Sequence, residues 1–134
     1  MLVVVDVDDI PCSRLLADLN SMLARLPTRP PNVLFRLAIE ETESWFIADP
    51  QAVVAAYPKA RQQRLRAVPP DAICGAWEVL ADALGYKRDE VTGADKYAWA
   101  QAIAPHLNLA MPCSPSLGKL LQGVDRQLAR RTMA

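Results

Sequence analysis

Only two stretches of this chain read as β-strand, and a helical pattern separates them. Leu2 to Val5 is an unbroken apolar run, the pattern of a strand covered on both faces in a parallel sheet. From Pro11 to Leu26, apolar residues recur at Leu15, Leu16, Leu19, Met22, Leu23 and Leu26, a helical stripe with Ser13 placed to cap its start. The prolines of "PTRPP" (Pro27 to Pro31) stop that helix, and Val33 to Ile39 reads as the second strand. Strand, helix, strand is a βαβ unit, with a right-handed crossover expected. A lone parallel pair has two open edges and little surface on which to bury a run as apolar as Val3–Val5. The expectation is therefore a homo-oligomer, a partner chain that completes the sheet, or a larger α/β domain of which this is the C-terminal portion.

Beyond Glu40 the pattern turns helical. "EETESWFIAD" fits a short helix, and Asp49-Pro50 ends it while starting the next, with Asp49 as cap and Pro50 in the first turn. "PQAVVAAY" and "ARQQRLRAV" read as short helices, and Trp77 to Leu84 as another closed by Gly85. A polar connection, "YKRDEVTGADK", precedes a helix over about Tyr97 to Ala104. Ser114-Pro115 opens a last helix running towards Arg131. The fold class expected is α/β: a short parallel sheet in an N-terminal βαβ, followed by a mainly helical C-terminal half. The 134 residues fit one domain, with the βαβ and an acidic helix in 1–49 and the helical part in 50–134.

Composition narrows the chemistry. Cys12, Cys74 and Cys113 are widely spaced, with no C-x-x-C, which argues against a zinc site or disulfide framework. The single histidine, His106, removes multi-histidine metal sites and reads as a packed or capping residue. No apolar stretch approaches a membrane span and no signal-peptide pattern leads into the first strand, so a cytoplasmic protein without membrane contact is expected. Charge is uneven: residues 1–50 hold eight acids and four bases, and the remainder seven acids and eleven bases. An acidic site facing a basic, anion-binding surface would produce that asymmetry, and so would chance.

The acids have a pattern. Asp6 and Asp8 are two apart, so on an extended chain they share a face, at the strand end where ligands bind in open α/β sheets. Two such carboxylates repel unless a hard cation lies between them, and magnesium suits oxygen donors. Asp9 reads instead as a helix cap. Glu40, Glu41 and Glu43 follow the second strand, and parallel strands end at one edge, so five carboxylates are expected to converge there. The alternative is that glutamates in a first helical turn simply favour the helix dipole. Lys59, Arg61, Arg64 and Arg66 form a strip without acids, either phosphate-binding or a solvated helix face. Trp45 and Phe46 are expected to pack their helix on the sheet. Lys96, read in the polar loop, is a surface lysine within reach of a phosphate, and Ser114–Ser116 is a helix start whose amino end can hold an anion.

"VVVDVDD", "RLAIEETESWFIADPQAV", "WEVLADALGY", "DKYAWAQAIAPHLN" and "SPSLGKLL" occur in an order that resembles a group of uncharacterised bacterial proteins with a Toprim-like domain. Toprim domains of topoisomerases, primases and OLD-type nucleases hold magnesium through a glutamate on an early strand and a D-x-D on a later one. The resemblance implies that Asp6 and Asp8 match the D-x-D, that Glu41 and Glu43 match an acidic pair before the tryptophan, and that Lys96 matches a later basic position. It implies a Mg2+ (or Mn2+) cofactor and a metal-dependent nuclease acting on DNA or RNA. The early glutamate should lie upstream of Asp6, so weak metal binding without robust turnover is expected of this chain. A non-catalytic interaction or subunit module is the other reading.

Overall fold

The computed structural model describes residues 1–133. Strand β1 (Leu2–Asp6), helix α1 (Cys12–Ala24) and strand β2 (Leu34–Ala38) come first. Helices α2 (Glu43–Ile47), α3 (Pro50–Ala56), α4 (Gln62–Arg66), α5 (Ala76–Leu84), α6 (Gly93–Ile103) and α7 (Pro115–Thr132) follow, with single 3-10 turns at Arg88–Glu90 and Ala104–His106. The two strands pair in parallel, Leu2 beside Leu34 through Asp6 beside Ala38. The protein is thus α/β, a short parallel pair with a mainly helical remainder. Among the described residues, no helix is long and apolar enough to cross a membrane.

The core lies where the helices meet, not on the sheet. Phe46, Ile47, Val53, Leu65, Leu80, Trp99 and Ile103 form it, drawn from α2 to α6. Tyr86 meets Trp99 edge-on, with ring centroids 5.1 Å apart. Phe46 therefore packs among helices and not against the strands as expected. Nor is β1 covered on both faces: Leu2, Val4 and Asp6 are exposed while Val3 and Val5 are half-buried. Its apolar run reflects one half-covered face and one open face, which an unbroken hydrophobic pattern cannot distinguish.

Helix boundaries follow their caps. Asp49 accepts the Ala52 N–H at 3.1 Å and the Asn108 N–H at 3.1 Å, so one carboxylate starts α3 and anchors a distant loop. Gly85, at φ +84°, ends α5 in the left-handed conformation that glycine adopts without a Cβ penalty. Ser114 caps α7 by accepting the Leu117 N–H at 3.2 Å. Thr92 and Asp95 form a reciprocal capping box, so α6 begins at Gly93 and not near Tyr97. Lys96 accordingly stands on a helix, not in a loop. Helix α1 lacks the expected side-chain cap: Pro11 occupies the position, and neither Ser13 nor Asp9 supplies one.

Helix α7 lies against β2 because Gly123 leaves room for it. A Cβ there would stand 2.7 Å from Leu34 Cδ2 and 2.8 Å from Arg36 Nε. The Arg36 Nε also donates to the Lys119 carbonyl at 2.9 Å, which fixes the helix along the strand. At the helix start, Asp71 accepts from Ser114 Oγ (2.6 Å) and the Ser116 N–H (2.7 Å), while Trp45 Nε1 donates to Ser116 Oγ at 2.8 Å. Trp45 thus ties α2 to α7. The amino end of α7 is filled by a carboxylate of the chain itself.

Candidate functional site

Strand β1 delivers Asp6 at its carboxyl end, and the turn after it brings Asp8 nearby. Strand alternation does not place Asp8, however. The pairing ends at Val7, whose N–H donates to the Ala38 carbonyl at 3.0 Å, and Asp8 is left-handed at φ 51°. Its N–H donates to the Glu40 carbonyl at 3.0 Å, stitching the turn to the end of β2. Asp8 reaches the neighbourhood of Asp6 through that turn, not through a shared strand face.

The five-carboxylate convergence resolves into two jobs. Glu40 is occupied with structure: its carboxylate accepts the N–H groups of Cys74 (3.3 Å), Gly75 (2.7 Å) and Ala76 (3.0 Å) at the start of α5. Glu41 accepts the next N–H, that of Trp77, at 3.2 Å. Carboxylates at a helix amino end satisfy orphan donors and favour the dipole. Gly75, at φ +71°, supplies the left-handed turn that starts α5, a conformation glycine adopts without a Cβ penalty.

Asp6, Asp8, Glu41 and Glu43 remain as a like-charged group. Burial raises the Asp6 carboxyl above its ordinary value, and the charges of Glu43 and Asp8 raise it further. A backbone N–H from Thr42 and the charge of Lys96 act the other way. Glu41 is pushed up to about 7, first by burial and then by Glu43, against the pull of Lys96 and the Trp77 N–H. Glu43 is buried at the first turn of α2, where the Thr42 hydroxyl donates to its Oε2 at 3.3 Å. Lys96 is the cation that acts on both Asp6 and Glu41. Its ammonium stands 4.3 Å from the centre of the Trp77 ring, a cation–π seat on the indole face.

The donors are all carboxylate oxygens, hard ligands that suit magnesium. Among the described residues, no group of three or more His, Cys, Asp or Glu side chains is placed to hold a metal ion. Magnesium does not need one, because it commonly takes one or two carboxylates and keeps several waters.

The basic strip is partly neutralised. Arg64 lies 3.8 Å from Asp82, and the same carboxylate takes two hydrogen bonds from Arg88, at 2.6 and 3.1 Å. Lys59, Arg61 and Arg66 are exposed on and beside α4. His106 is exposed in a 3-10 turn and takes no part. Sequence reasoning missed Asp71, the Trp77 seat for Lys96 and the capping role of Glu40. The Thr92-x-x-Asp95 box was the one available signal, since it places Lys96 on a helix. No family model, curated protein or solved structure matches this chain.

Proposed function

We propose that this protein binds a divalent cation weakly at the carboxyl end of its sheet, as part of a Toprim-like nuclease that acts on nucleic-acid phosphodiesters. The observation that carries the reading is the repulsion of Asp6 by Glu43 and Asp8, and of Glu41 by Glu43, with Lys96 as the one cation acting on both Asp6 and Glu41, an excess of negative charge that a further cation relieves. The same carboxylates lie in the motifs whose order resembles the Toprim-like group. Asp6 and Glu43 are the oxygen donors in this reading, and water completes the shell. These two residues would hold a magnesium ion, which would supply charge neutralisation for phosphodiester cleavage. Lys96, held on Trp77, supplies a fixed positive charge for a phosphate. Lys59, Arg61 and Arg66 extend the contact to more of the backbone.

The test is incubation of the purified chain with supercoiled DNA, linear DNA and single-stranded RNA, in magnesium and then manganese, beside Asp6→Ala. Metal-dependent cleavage lost in Asp6→Ala supports the reading. Metal binding without cleavage in any of these leaves only the cation site. A second reading, a non-catalytic interaction module, is favoured by the exposed apolar side chains of Leu2 and Val4 on β1.

A further inference from the structure

We infer that β1 pairs antiparallel with β1 of a second copy of this chain, and that Arg130 and Arg131 of each copy then reach the acidic strand end of the other. The inference stands apart from the cation reading and does not depend on it.

Backbone directions define the free edge. The Leu34 N–H donates to the Met1 carbonyl and the Val7 N–H to the Ala38 carbonyl, which sets the odd-numbered residues of β1 facing β2. Leu2, Val4 and Asp6 therefore turn their N–H and C=O groups outward, and among the described residues none of these outward groups has a partner. Two copies related by a twofold axis normal to the sheet can close this edge without leaving another copy unsatisfied. With Val4 on the axis, it exchanges both backbone bonds with the partner's Val4, and Leu2 does so with the partner's Asp6. The product is a four-stranded sheet with the weakly covered strands at its centre and the exposed side chains of Leu2 and Val4 gathered on one face.

Charge selects this pairing. A groove of about 510 Å³ runs between the start of the sheet and the end of α7, lined by Leu2, Leu34, Val124, Leu128, Arg130 and Arg131. Among the described residues neither arginine has an ion-pair partner. The arginines thus stand at the opening end of β1, and Asp6 and Asp8 at its closing end. Antiparallel pairing lays each end beside its opposite, twice over by symmetry, whereas parallel pairing would set like charges together. Leu2 and Asp6 also share the sheet face that α7 occupies, so the arginines are on the correct side.

Sedimentation across a concentration series, with disulfide trapping, tests the pairing. In a background with Cys12, Cys74 and Cys113 replaced by serine, Val4→Cys should cross-link to its own copy, because the strands place the two Cα atoms about 5.5 Å apart. Val3→Cys, which faces β2 with its backbone, should not cross-link comparably. Arg130→Glu with Arg131→Glu should raise the dimer dissociation constant by about tenfold or more, and added salt should do the same. Combining that pair with Asp6→Lys and Asp8→Lys should restore association. A wild-type monomer at every concentration would overturn the inference. So would a dimer that is indifferent to Val4→Lys and to the arginine changes.

Discussion

Glu40 Oε1 accepts the N–H of Gly75 at 2.7 Å, and this one bond joins the end of the sheet to the start of α5. It also separates Glu40 from the glutamates that follow it. Glu40 is itself left-handed, at φ 61°, a conformation held by the three N–H groups its side chain gathers. Glu40→Ala leaves those donors without their acceptor and should cost about 2 kcal/mol, the range of a lost helix cap. Urea unfolding measures the loss. Glu40→Ala should nevertheless leave any cation affinity intact while the protein stays folded.

Glu41 makes stability and cation binding depend on pH in opposite senses. Its pKa rises from 4.5 in the unfolded chain to about 7 in the folded one, so the folded state holds the extra proton between those values. Its contribution is full below the lower value and is lost as pH climbs to the upper one. Thermal melting should therefore fall over that window, and Glu41→Gln should flatten part of the fall. Asp6, also raised, acts in the same direction. Cation binding needs the ionised carboxylates, so it should strengthen as pH passes through about 7. Glu41 is half-exposed and solvent screens its charge, so the difference in melting should be modest.

Gly123 is where α7 meets β2 most closely. Gly123→Val forces its side chain into Leu34 and Arg36 and should cost about 1–3 kcal/mol, the usual penalty for overpacking. The Arg36 bond to the Lys119 carbonyl should be lost with it. Hydrogen exchange should show α7 opening before the helical core, because the core residues belong to α2 to α6.

Nucleic-acid binding, where present, should draw unequally on the basic strip. Removing Lys59, Arg61 or Arg66 should each reduce the salt slope by about 1, as expected for one phosphate contact. Arg64→Ala should change it less, since Asp82 already engages that guanidinium at 3.8 Å. Asp82→Asn should strengthen binding by releasing both Arg64 and Arg88. Filter binding over a salt series distinguishes the variants.

Most helices were legible because their ends carry local chemistry: Asp49-Pro50, Gly85 and Ser114-Pro115 mark ends that the fold keeps. The two strands were legible from apolar runs, but their burial was not, since coverage depends on α1 and α7 arriving from elsewhere. Helix α1 has an apolar stripe and yet no buried residue, so periodicity identified the helix without telling how deeply it docks. At the candidate site, Glu43 follows β2 in sequence and its charge acts on Asp6 at the end of β1. Sequence order could not show that Glu40 turns away to α5, because the three N–H groups it accepts lie more than thirty positions along the chain. The placing of Asp8 failed for a local reason: extended geometry stops at Val7 and the next residue is left-handed.

The proposed cation site is tested most directly by titration calorimetry. Magnesium, then manganese, is titrated into the wild type, Asp6→Ala and Glu40→Ala at a pH above the value of about 7 where Glu41 ionises. Weak binding is expected in the wild type and in Glu40→Ala, with loss in Asp6→Ala, because few fixed oxygens remain and water must complete the shell. Equal heats in the wild type and Asp6→Ala, or no binding in the wild type, would contradict the account.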